Sequence, residues 1–184
     1  MKGYRDSWDR PHRRLLVDLV VRFEPVSSVL ELGCHAGPNL RLLGKRFPDA
    51  RITGTDVNLP AIEAARQSLA ELSNVTANHS DLRSELVSLD DNSVDCIVSC
   101  FALAYVDPEE IGDVLGHAWR AARKALILME PHPGPDQTAE QSGWRHDYAT
   151  LLKRAGCPYV RTEPLELDNR AGELNAVTIA VKVR

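Results

Sequence analysis

From residue 28 to residue 130 short apolar runs alternate with longer segments of helical periodicity, and this alternation limits the chain to very few architectures. Ser28–Leu32, Arg51–Asp56, residues 75–78, Val94–Cys100 and residues 125–130 read as strands. Residues 38–47, 60–72, 82–89 and 108–123 read as helices, with Pro38 suited to a first turn where its missing N–H costs nothing. Strand and helix in turn require parallel strands joined by crossovers and covered on both faces. A helix over residues 7–22 precedes this series. A helix over 142–155 and strands over 159–167 and 176–183 follow it, the last two separated by a turn-rich stretch. The expected fold is therefore α/β: a doubly wound, mostly parallel seven-stranded sheet with an antiparallel C-terminal hairpin. In such a sheet ligands bind beyond the carboxyl ends of the strands, where the winding reverses. The loops after residues 32, 56, 78, 100 and 130 are the places to look.

A length of 184 residues suits one domain, and 43% hydrophobic with 26% charged residues is ordinary for a globular protein. The net charge of -4 gives no global attraction to nucleic acid or to an anionic membrane. Arg5, Arg10, Arg13, Arg14 and Arg22 enrich the amino-terminal segment, but Asp6, Asp9 and Asp18 interrupt them, and a solvated helix face is expected there. No secretory pattern opens the chain, and the apolar run over 125–129 is too short to span a bilayer, so a cytoplasmic protein is expected. Cys34, Cys96, Cys100 and Cys157 form no Cys-x-x-Cys pair, which argues against a zinc site. Four strand residues separate Cys96 from Cys100 by roughly 13 Å, beyond the roughly 7 Å that a disulfide tolerates. Buried thiols are expected.

The loop after the first strand reads Gly33-Cys34-His35-Ala36-Gly37 and opens a helix. Glycines there let a ligand approach the backbone, and the helix N-terminus favours negative charge. A dinucleotide fingerprint needs glycine at its first, third and sixth positions, where this chain has Gly33, His35 and Pro38, and no P-loop Gly-Lys-Ser/Thr follows. Asp56 ends the second strand, where a carboxylate accepts from ribose hydroxyls or caps the next helix. Asp81 follows the third strand, where it accepts from an adenine amine or serves as an N-cap.

Together these residues carry a resemblance. Val29-Leu30-Glu31-Leu32-Gly33-Cys34-His35-Ala36-Gly37 resembles the first motif of class I, Rossmann-like S-adenosylmethionine-dependent methyltransferases. Gly54-Thr55-Asp56-Val57-Asn58 resembles their second motif and Ser80-Asp81-Leu82 their adenine-binding motif, while residues 91–106 look like their fourth strand and the loop after it. The resemblance implies S-adenosyl-L-methionine as cofactor. Its methionine part would lie against Glu31, Gly33, His35 and Gly37, its ribose against Asp56 and Val57, and its adenine against Asp81 and Leu82. Cys100, Phe101 and Ala102 would lie near the sulfonium. One position departs from the pattern: His35 replaces the middle glycine, which is costly if the backbone there needs φ > 0.

The resemblance also divides the single domain of 1–184 into an N-terminal helical segment (1–26), a cofactor-binding core (27–130) and an acceptor side (131–184). Tyr105, His132 and His146 are the candidate catalytic residues, since they lie in or after loops at the ligand edge. His132 also reads as a surface histidine, and Trp144, Tyr148, Leu151 and Leu152 have the spacing of a core face. The motifs of amino-methylating enzymes, of cytosine carbon-5 enzymes and of metal-dependent catechol enzymes are missing, which leaves a small-molecule acceptor as the expected partner. Two rivals stay open: a catalytically silent binding subunit, motivated by His35, and a nucleotide-binding oxidoreductase, motivated by Asp56.

Overall fold

The structure is a computed structural model, and it describes residues 10–133, 143–165 and 175–182. Its elements in chain order are α1 (Pro11–Val21), β1 (Ser28–Leu32), α2 (Pro38–Arg46), β2 (Arg51–Asp56), α3 (Leu59–Ser68), β3 (Val75–His79), α4 (Leu82–Val87) and β4 (Val94–Cys100). After a 3-10 turn (Leu103–Tyr105) come α5 (Ile111–Ala121), β5 (Ala122–Pro131), α6 (Tyr148–Arg154), β6 (Tyr159–Leu165) and β7 (Asn175–Val181). The seven strands form one sheet in the order β3-β2-β1-β4-β5-β7-β6. The first five are parallel; β7 is antiparallel to both β5 and β6.

Alternation along the buried strands sends successive side chains to opposite faces. Val29, Ile52, Cys96, Val98, Ile127 and Met129 pack beneath α1, α2 and α3. Leu30, Leu32, Ile97, Leu126 and Leu128 pack with residues of α4, α5 and α6 on the other side. The chain leaves β1 for β2 on one side and later returns to place β4 on the other, so the winding reverses between β1 and β4. The four cysteines are unbridged, and all but half-buried Cys100 are buried.

Several elements differ from the sequence reading; the helices expected over 60–72 and 82–89 end at Ser68 and Val87. The helix expected over 108–123 ends at Ala121, because parallel pairing with β4 recruits Ala122 opposite Val94, with a register shift before Cys96. Sheet pairing overrides helix-favouring Ala-Arg-Lys-Ala there. The helix expected from 142 begins only at Tyr148, capped by Asp147, whose Oδ1 accepts from Thr150 N at 3.0 Å and Oδ2 from Thr150 Oγ1 at 2.7 Å. Residue 142 and the expected strand ends at 166–167 and 183 lie outside the described residues, as do residues 7–9 of the first helix. Finally, α1 is not a uniformly solvated face. Arg10, Arg14 and Arg22 are exposed, but His12 and Arg13 are each only 8% exposed.

Candidate active site

The loop leaving β1 alternates left-handed residues. Gly33 has φ 74°, His35 φ 46° and Gly37 φ 77°. Gly33 N and Cys34 N both donate to Thr55 O, at 2.8 and 3.0 Å, which holds the loop over the end of β2. A Cβ on Gly33 would stand 2.1 Å from Ala102 Cβ, so that glycine is fixed by a close approach between the loops after β1 and β4. Gly37 is the N-cap of α2, and a Cβ there would meet Leu69 Cδ1 at 2.7 Å. The middle position thus does require φ > 0. Histidine accepts it at roughly 1–2 kcal/mol, and its backbone N–H donates to Asp56 Oδ2 at 2.8 Å.

Asp56 also takes Asn58 N on Oδ1 at 2.8 Å, whereas α3 itself is capped by Asn58, whose Oδ1 accepts from Ala61 N. The helix-cap alternative for Asp56 is thereby corrected: it ties two loop amides at the end of β2. For Asp81 the cap is real, since Oδ1 accepts from Ser84 N at 2.9 Å, and the hydrogen bonds from Ser84 hold its carboxyl below the usual range. Each carboxylate has lone pairs beyond these bonds.

Glu31 lies on β1, buried to 1% exposure. Asn39 Nδ2 donates to its Oε1 at 2.6 Å, and Arg13 Nη1 donates to Asn39 Oδ1 at 2.9 Å. Oε2 is buried with no hydrogen-bond partner among the described residues. Burial pushes the Glu31 carboxyl up to about 7, against the Asn39 hydrogen bond and the Arg13 charge.

These groups surround one cavity of about 830 Å³. Glu31, Gly33, His35, Asp56, Val57, Asp81, Leu82, Cys100, Phe101 and Tyr105 all line it. Gly37 does not; its part is the turn into α2. Two lining residues come from α1: His12, which the sequence reading missed, and Arg13, which it placed on a solvated face with binding of an anionic substrate as the alternative. The signal was there, since His12, Leu16 and Val20 follow one another at four-residue spacing and so share a buried face. The His12 ring sits edge-on to Phe101 with centroids 5.7 Å apart, and burial with the charges of Arg13 and Arg10 lowers it to about 4, so its imidazole is neutral. Phe101 is itself left-handed at φ 58°. Burial pushes the Cys100 thiol up, which removes it as a nucleophile.

The acceptor-side expectations change most. His146 is buried and does not line the cavity; its Nε2 lies 3.0 Å from Val106 O and its ring is edge-on to Tyr148. A carbonyl can only accept, so Nε2 carries the proton and is committed. His132 also lies outside the lining, with Nδ1 2.9 Å from Pro133 O and its own carbonyl accepting from Arg145 Nη1. Both histidines fasten the segment around 143–148 to the loops beside it, as does Trp144 N, which donates to Ala104 O at 2.6 Å. Of the three expected catalytic residues only Tyr105 reaches the cavity, 72% exposed at its rim.

A glycine loop at the winding reversal and acids closing the next two strands define a Rossmann-like protein built to hold a nucleoside. The family model of the methyltransferase domain matches residues 29–125, and the chain belongs to that family. Among curated relatives, the trans-aconitate 2-methyltransferase of Escherichia coli O7:K1 is 27% identical over 165 residues, covering 80% of this chain and 62% of that protein. The enzyme of the same name from Paracidovorax citrulli is 37% identical over 68 residues, 37% of this chain and 25% of its own. The chain thus spans less than two thirds of these relatives. Two solved structures share the fold. A SAM-dependent methyltransferase from Archaeoglobus fulgidus has a TM-score of 0.71 at 19% identity, over 92% of this chain and 94% of its own. Magnesium protoporphyrin IX methyltransferase from Synechocystis has 0.69 at 19% identity, over 93% and 80%.

Proposed function

We propose that the chain binds S-adenosyl-L-methionine in this cavity and transfers its methyl group to a small-molecule acceptor. The observation that carries the reading is that the carboxylates Glu31, Asp56 and Asp81 line one cavity, with Glu31 Oε2 buried and without a hydrogen-bond partner among the described residues. A buried carboxylate oxygen without a donor is costly, and an ammonium group answers it. The residues therefore fit the cofactor: Glu31 for the amino group, Asp56 with Val57 for the ribose, Asp81 with Leu82 for the adenine.

When bound, the cofactor supplies an electrophilic methyl group on a sulfonium. The chain's part is to orient and to exclude water. Gly33 against Ala102 fixes the gap between the two loops, and His12, Phe101 and Tyr105 border the side left for an acceptor. Positioning of this kind supplies much of the rate of an in-line displacement. The net charge of -4 gives no global attraction to a nucleic-acid acceptor, while Arg13 and Arg83 stand with Asp107 and Glu110 on the cavity. The relatives named for trans-aconitate support a small acceptor.

Calorimetry tests the reading. S-adenosylhomocysteine should bind and NAD should not; a silent subunit would bind neither, and an oxidoreductase the dinucleotide. Asp56→Ala should weaken S-adenosylhomocysteine binding by roughly 1.5–3 kcal/mol. Because Asp56 also holds the amides of His35 and Asn58, Asp56→Asn is measured beside it, with melting temperatures for both. An unchanged dissociation constant in Asp56→Ala removes the ribose assignment.

A further inference from the structure

Glu130, near the end of β5, is 1% exposed and does not line the cavity. Its Oε1 nonetheless collects three donors from the strand and loop beside it: Ser99 Oγ at 2.6 Å, Ala102 N at 3.1 Å and Leu103 N at 3.3 Å. Ala102 is the residue whose Cβ sets the approach to Gly33, and its neighbours Phe101 and Tyr105 line the cavity. One carboxyl oxygen therefore fixes the loop that faces the glycine loop across the site. The other oxygen, Oε2, is buried without a hydrogen-bond partner among the described residues, as is Tyr148 Oη from α6. The titratable groups facing Glu130 are the Tyr148 phenol and the Cys100 thiol of β4, both pushed up and hence uncharged. Glu130 makes no ion pair among the described residues, and burial pushes its carboxyl up to about 7 despite the hydrogen bonds from Ser99, Ala102, Leu103 and the Ala104 backbone.

We propose that Glu130 is a positioning residue: with its proton on, the carboxyl pins the loop over 101–105 against Gly33, and loss of that proton loosens the loop. A protonated carboxyl keeps its carbonyl oxygen for the three donors without stranding a charge in a dry site. An ionised one gains by letting water in, and only opening of the loop supplies water. The role in cofactor binding rests on the function proposed above; the pinning of the loop does not.

Amide hydrogen exchange on the whole chain, without ligand, reads the loop directly. Protection at the Ala102 and Leu103 amides, corrected for intrinsic exchange, should fall roughly tenfold between pH 6 and pH 8, while Ile97 inside β4 keeps its protection. Glu130→Gln, which retains the acceptor oxygen and cannot ionise, should show no such fall. Glu130→Ala should be poorly protected at both pH values. In calorimetry, Glu130→Gln should bind S-adenosylhomocysteine as the wild type does, and Glu130→Ala roughly tenfold more weakly, about 1.4 kcal/mol. Flat protection in the wild type, or the same fall kept in Glu130→Gln, overturns the proposal. So does a folded Glu130→Ala that binds the ligand at full strength. Should the wild type bind no S-adenosylhomocysteine, the methyltransferase reading fails, and the exchange data alone decide whether Glu130 pins the loop.

Discussion

The ends of β1 and β5 each bury a glutamate, and burial lifts both carboxyls to about 7. Each has one oxygen hydrogen-bonded and the other without a partner among the described residues. They differ in what surrounds them. Glu31 faces a ligand-sized cavity, is held by the side chain of Asn39 and has the Arg13 charge nearby. Glu130 faces the protein and is held mainly by loop backbone. An equal shift in acidity therefore does not identify a ligand-binding group; the cavity beside Glu31 is what separates the two. The two regions meet where Gly33 touches Ala102.

Breaking that meeting point should have the largest effect. Gly33→Ala needs both a strained φ of 74° and a 2.1 Å contact to relax, so it should lose about 3 kcal/mol or more of stability and all measurable S-adenosylhomocysteine binding. A variant that melts and binds like the wild type would show that the two loops move independently. Second in size is the pH dependence of Glu31. Its folded pKa lies above its ordinary value of 4.5, so its contribution to stability is complete below 4.5 and is lost as pH rises through about 7. Urea unfolding at pH 5 and pH 8 should show Glu31→Gln losing less stability than the wild type over that interval, by on the order of 3 kcal/mol. Saturating S-adenosylhomocysteine should abolish the Glu31 share, because that carboxylate is the seat proposed for its ammonium, and leave the Glu130 share in place. If the ligand removes both shares, the contrast between the two sites is wrong.

His146→Ala comes third. It removes a buried hydrogen bond to Val106 O, and should cost about 1–2 kcal/mol of stability with ligand affinity unchanged. A fall in turnover of roughly 100-fold at unchanged melting temperature would instead return His146 to the acceptor site. The smallest effect belongs to His35→Gly. Relief of the left-handed strain and the greater freedom of glycine when unfolded are each about 1 kcal/mol and oppose one another. Melting temperature should barely move, and S-adenosylhomocysteine affinity should stay within about tenfold. Abolished binding would make the imidazole a dedicated ligand.

That the strand-end residues line one cavity was legible because the signal is local. Glu31, Gly33, Asp56 and Asp81 each sit at the end of a strand that announces itself as an apolar run, and strand ends in a wound sheet converge. The acceptor half was not, because proximity in sequence to the edge of the sheet does not say which way a side chain turns. His146 and Trp144 were read into a helix that begins only after them; the His146 ring turns toward Val106 O, and Trp144 meets the same loop through its backbone N–H. His12 and Arg13 were hidden for the opposite reason. Charges of both signs surround them in sequence, and only the packing of α1 across α2 shows that those two lean over the cavity. Glu130 could be placed near the site from its strand, but its three donors come from the loop after a different strand.

The strand order also bears on how the chain is made. β7 leaves the ribosome after β6, yet it is β7 that lies against β5, with β6 outside it. Until residues 175–181 have emerged, one edge of β5 has no partner and β6 has no sheet to join. A chain ending after residue 165 thus carries the strand ends that line the cavity beside an open, strongly apolar edge. Such an edge is a template for pairing with any other extended chain, so a chain lacking β7 is the form of this protein most exposed to aggregation.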